Sequence, residues 1–90
     1  MIETNTVVSP EVNAILPDVL IEYLWGLALA DEYRKCVIQT FTLAQGELGG
    51  RGIQNIFHLD ETRRVFGIDP VSCELYVINS DKNYQMILAN

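Results

Sequence analysis

Basic residues are scarce in this chain: six lysines and arginines stand against twelve acids, a formal net charge of −6 at neutral pH. A nucleic-acid-binding surface needs a basic patch to displace condensed counterions, so no nucleic-acid partner is expected. Cysteine is scarce too. Cys36 and Cys73 are the only two, whereas a secreted domain of this size usually carries four or more to staple a small core. The expectation is two buried, reduced thiols in a cytoplasmic protein. His58 is the single histidine; one histidine and two distant cysteines do not make a metal site, and no cofactor is expected. After Met1 there is no basic start leading into an apolar run, so no signal peptide is read. The longest apolar stretch, Val19 to Ala30, is broken by Glu22 and is shorter than the ~20 residues that span a bilayer. No membrane partner is expected either.

What the chain does have is hydrophobic residues, 49% of ninety. That is enough to fill the core of a single domain and argues against disorder. Thr4 to Val8 is a short β-prone run, broken by Ser9-Pro10-Glu11. Ser9 can cap a helix with Pro10 at its first position, but Pro17 is the better start for the main helix, where its missing N–H costs nothing. From Pro17 to about Tyr33 the pattern is helical: Leu20, Tyr23, Leu24 and Leu27 keep the i, i+3, i+4, i+7 spacing. Ile21, Trp25 and Ala28 form a second apolar flank. A helix apolar over most of its circumference needs cover on two sides. A sheet supplies one; a second copy of the protein or a foreign partner is expected on the other. Gly26 weakens such a helix by about 1 kcal/mol against alanine and reads as a mark of close packing.

Beyond Lys35 the period changes to two. Cys36–Ala44 is rich in β-branched and aromatic residues and predicts a strand. Gln45 to Gly52 holds four glycines and predicts a flexible loop; Ile53–Leu59 is the returning strand. Asp60-Glu61 is a turn, Arg63–Ile68 a short edge strand, Glu74–Asn79 a strand, Ser80–Asn83 a turn, and Tyr84–Ala89 the closing strand. The expected fold class is α+β: one main amphipathic helix packed on an antiparallel sheet of four to five strands.

Ile15-Leu16-Pro17, Leu20 and Leu24-Trp25, then Gln39-Thr40-Phe41-Thr42-Leu43, then Gln54-Asn55-Ile56-Phe57-His58, then Glu74–Ile78 and Gln85–Ala89 stand in a fixed order. In that order they resemble the domain of unknown function numbered nine hundred and sixty, a family of Gram-positive bacteria and their phages and plasmids. The likeness spans nearly the whole chain. It departs from the family after the histidine, where Leu59-Asp60-Glu61 lacks the usual proline, and in the longer glycine-rich loop. The resemblance implies a host and a mobile-element setting, and no reaction.

Few side chains carry candidate chemistry. His58 with Asp60, two residues on, offers a histidine–carboxylate pair if the strand continues that far. The alternative is a histidine of the sheet face, held by a hydrogen bond. Gly49-Gly50-Arg51-Gly52 can present backbone N–H groups and a guanidinium to a phosphate, but it lacks the Lys-Ser/Thr of a P-loop and precedes a strand. Arg63 and Arg64 point to opposite faces of a strand and form no single patch. Gln39 and Gln54, on the two central strands, place amides on the sheet, able to bond each other or a ligand. Tyr23 and Trp25 lie on different helix faces; one of them should face outward, as a favoured interface residue.

Three functions follow in order. The first is a non-enzymatic interaction module: a phage or mobile-element accessory protein that binds a protein partner and inhibits a host (defence) protein, itself a homodimer. The second is a small-ligand or nucleotide-sequestering protein that holds phosphate with Arg51 and Arg63 or Arg64. The third is a small enzyme using His58.

Overall fold

The computed structural model describes residues 5–89. The chain begins with β1 (Asn5–Val8), followed by α1 (Pro10–Ile15) and α2 (Asp18–Ala28). Five strands follow: β2 (Ile38–Leu48), β3 (Arg51–His58), β4 (Glu61–Val65), β5 (Cys73–Ser80) and β6 (Asn83–Leu88). They form one six-stranded sheet in the order β1-β6-β5-β2-β3-β4. Neighbours are antiparallel except β1, which lies parallel to β6 with Asn5 beside Asn83 and Val8 beside Met86.

The α+β class is as expected, but its details differ. There are two short helices rather than one main one, and six strands in a mixed sheet rather than four or five in an antiparallel one. Ser9 does cap a helix: its Oγ accepts from the Val12 N–H at 3.3 Å, with Pro10 in the first turn. That helix stops at Leu16, whose extended backbone (φ −102°, ψ 135°) is what a following proline demands. Pro17 is then the N-cap of α2, not its first helical residue. Its carbonyl accepts from the N–H groups of Leu20 and Ile21. The helix ends at Ala28, five residues short of Tyr33, and residues 29–35 are turns.

The glycine-rich segment is not a loop. β2 runs on to Leu48, and only Gly49 and Gly50 remain as a two-residue turn, at φ 58° and 78°. Positive φ at both central positions suits the right-handed twist of a hairpin, and glycine takes it without steric cost. The β5–β6 hairpin turns the same way on Asp81 and Lys82.

The core lies on one face of the sheet. Val12, Leu16, Leu20, Leu24 and Ala28 from the helices meet Phe41, Leu43, Ile56, Leu75, Val77 and Met86, all buried. Trp25 and Leu27 pack against this cluster half-buried. Most of the apolar circumference of α2 is thereby used up, and only Val19 and Tyr23 stay exposed on it, at 57% and 39%. Gly26 does not mark close packing: a methyl group there would meet nothing within 4 Å.

Candidate functional site

His58 ends β3 on the core side and is fully buried. Its ring stacks on Phe41 at a centroid distance of 4.1 Å, and Tyr33 leans on it at 4.4 Å. Its Nε2 lies 2.7 Å from Gln39 Oε1. The amide nitrogen of Gln39 already donates to the carbonyls of Ala28, at 2.9 Å, and Tyr33, at 3.0 Å. The imidazole must therefore donate from Nε2, which leaves Nδ1 unprotonated, and Nδ1 has no hydrogen-bond partner among the described residues. Burial pushes the His58 pKa below 6.5; the charge of Arg63 lowers it further and that of Asp60 opposes. Desolvation, then the carboxylates of Glu32, Glu61 and Asp60, raise the Tyr33 phenol.

This arrangement overturns the histidine–carboxylate pair. The strand stops at His58, and Leu59 turns the chain at φ 56°, so Asp60 does not share the face of His58. The two glutamines do not meet either. Gln39 holds the C-terminal end of α2, where the last carbonyls of a helix lack partners. Gln54, equally buried, grips the backbone of Val71: it accepts from its N–H at 2.7 Å and donates to its carbonyl at 3.0 Å. Both amides are thus used up within the fold, Gln54 on backbone groups and Gln39 on two carbonyls and the His58 ring. The cysteines are free and half-buried rather than buried, and burial raises the Cys73 thiol above its usual value.

The arginines are dispersed. Arg51 opens β3 at the hairpin tip, opposite Leu48. Arg63 lies on the core side opposite Ile56, while Arg64 faces the other way, opposite Asn55. Arg51 and Arg64 therefore share a face, with Arg64 beside Asn55 four residues along β3 from Arg51, and Arg63 lies on the opposite face. Tyr23 is the outward aromatic of α2 and Trp25 the core-facing one.

A whole surface carries none of the site residues expected from the sequence apart from Arg51 and Arg64. Both helices cover one face of the sheet; on the other face, among the described residues, Ile53 is the one strand residue that is buried. Register puts Thr42 beside Phe57 and Glu74, and Phe57 beside Thr62. It puts Thr40 beside Tyr76, and Tyr76 beside Ile87. Ile38 and Ile78 pair in the next row, with Gln85 and then Val7 beyond them. Val7 and Ile38 are 55% exposed and Phe57 42%. Thr40, Thr42, Tyr76, Ile78 and Ile87 are partly exposed. Among the described residues Glu74 is the one acid at a strand position on this face, with Arg51 and Arg64 the cations. The signal was present in the alternation of Gln39-Thr40-Phe41-Thr42-Leu43, where threonine marks the open side.

The fold is thus a two-layer α+β arrangement, a pair of short helices on one side of a mixed six-stranded sheet. Among solved structures it is similar to a protein of unknown function from Enterococcus faecalis, with a TM-score of 0.63 and 14% identity, covering 99% of this chain and 95% of that one. At that identity the likeness is one of fold. No family model matches the chain and no curated protein does. Among the described residues no helix is long and apolar enough to cross a membrane.

Proposed function

We propose that this chain is a non-enzymatic interaction module that binds a folded protein through the open face of its sheet. One observation carries the reading: the face opposite the helices is broad, uncovered, rich in threonine and apolar side chains, and nearly free of the acids that populate the rest of the chain. An uncovered patch of this kind is characteristic of protein–protein contact. The order of motifs along the chain supports membership of the nine-hundred-and-sixty family. On that reading the partner is to be sought in a Gram-positive host of phages and plasmids, with a host defence protein as the first candidate. Affinity capture from such a host, with the wild-type chain, a Phe57→Arg variant and a helix-side Tyr23→Glu variant as baits, tests the surface. Proteins held by the wild type and by Tyr23→Glu, and lost by Phe57→Arg, are expected. Identical capture by all three baits would refute it.

A second reading, small-ligand binding, has one feature in its favour. A groove of about 290 Å³ sets the Arg51 segment beside the exposed ring of Phe66, with Asp69 and Pro70 on its rim. A thermal-shift panel of nucleotides tests it, and no rise across the panel removes it.

A further inference from the structure

The open face is expected to take one occupant above others, and its charges say which. The chain carries a net charge of −6, so two copies repel each other over most of their surface. On the open face the balance reverses, with two arginines against one glutamate. Arg64 sits on β4 and Glu74 on β5, with β2 and β3 between them. A two-fold axis running along the strands between β2 and β3 would lay β5 of one copy over β4 of the other. It would set Glu74 of each copy near Arg64 of its mate, with an offset of about two residues along the strand that an arginine can span. The same axis passes between Thr42 and Phe57, which are register partners, so each Phe57 lands on the threonine of the opposite copy.

Resting on the interaction-module reading, we propose that, while that partner is absent, the open face is occupied by a second copy of this chain. Two sheets stack face to face at about 10 Å in an isologous dimer, centred on Thr42 and Phe57 and clamped by two Arg64–Glu74 pairs. Four overlapping strands at ~4.8 Å spacing and ~20 Å length give a flat footprint of roughly 400 Å² per copy. The two copies together then bury roughly 800 Å², below the ~1,200 Å² at which standard-size interfaces begin. The dimer is therefore reversible and concentration-dependent, and it weakens with added salt as its charge pairs are screened.

The test is sedimentation velocity on the whole chain from micromolar to millimolar concentration. The variants are Phe57→Glu, Arg64→Glu, Glu74→Arg and the double exchange R64E/E74R. All three positions are exposed, so circular dichroism should show each variant folded. The wild type should move to twice the chain mass as concentration rises. Phe57→Glu should stay monomeric. Each single reversal should weaken association about tenfold or more, because it sets like charges together, and the double exchange should restore it. A wild type that stays monomeric throughout overturns the dimer alone, since the capture experiment still judges the docking face. A dimer that survives Phe57→Glu overturns this seam, and if a Tyr23→Glu variant run beside it dissociates that dimer, the docking face falls with it.

Discussion

Replacing Gln39 with leucine should cost this protein a large part of its stability. The amide bridges three groups: His58 Nε2, the Ala28 carbonyl and the Tyr33 carbonyl. Leucine is similar in size and fills the space, so the loss is one of hydrogen bonding. Each buried polar group left without a partner costs about 1–3 kcal/mol. Tyr33 is half-buried and its carbonyl can turn to water, so two groups bear the penalty, and the sum is about 3 kcal/mol. A ninety-residue domain has roughly 5–13 kcal/mol in all. With a urea dependence of about 1–3 kcal/mol per molar, the unfolding midpoint should fall by roughly 1–3 M. Trp25, the single tryptophan, packs against the core and reports the transition by fluorescence. His58→Phe keeps the stack on Phe41 and orphans only Gln39 Oε1, so it should cost less, about 1–2 kcal/mol. In the double variant neither partner is left alone. The two costs should then fall short of additivity by at least ~1 kcal/mol. A Gln39→Leu cost below ~1 kcal/mol would show that the bridge does not hold the helix end, and single effects that add within ~0.3 kcal/mol would show that Gln39 and His58 are not coupled.

Two further outcomes follow from the same structure. The folded pKa of His58 lies below the unfolded value of 6.5, so on acidification the unfolded chain takes up this proton first. The contribution is fully present above pH 6.5 and is lost as pH falls from there toward the folded pKa. The slope reaches at most about 1.4 kcal/mol per pH unit. Urea titrations at a series of pH values should show it in the wild type and not in His58→Phe; equal slopes would contradict the burial of the ring. Gly26→Ala fills open space on α2 and should stabilise the protein by up to about 1 kcal/mol. That raises the melting temperature by roughly 4–8 °C, and a fall would mean that α2 is not helical at that position.

The local elements were legible because their signals are local. The turn at Asp81-Lys82, the alternation through Gln39–Leu43 and the edge position of β4 all follow from residues close in sequence. The open side of the sheet was legible in the same alternation, with Thr40 and Thr42 between the buried Gln39, Phe41 and Leu43. Tertiary pairings were not legible. β1 joins the sheet by lying parallel to a strand nearly eighty residues away, and no pattern within Asn5–Val8 names that partner. The Gly46–Gly52 segment misled because four glycines suggest flexibility. Two of them instead continue strands, with Gly46 opposite Ile53 and Gly52 opposite Glu47. The roles of Gln39 and Gln54 were hidden because a buried glutamine in a strand reads the same whether it meets a ligand, another amide or a backbone. His58 was ambiguous for a like reason: Phe41 and Tyr33 are brought to it by the fold, not by the chain.

The pairing of β1 with β6 sets an order of events during synthesis. Asn5 and Asn83, which share a side-chain hydrogen bond, stand 78 residues apart. At ribosomal rates of about 5–20 residues per second, β1 waits roughly 4–16 s for the strand it needs. Over that interval the nascent helices α1 and α2 have no complete sheet to rest on, and β1 presents an unpaired edge. Chaperone demand should therefore last until β6 has been made, and slowing elongation over β5 and β6 should lower the yield of native protein. A circular permutant that joins β6 to β1 through a linker long enough to run back along the pair, as two parallel strands require, would put both strands in one translated segment and shorten the wait.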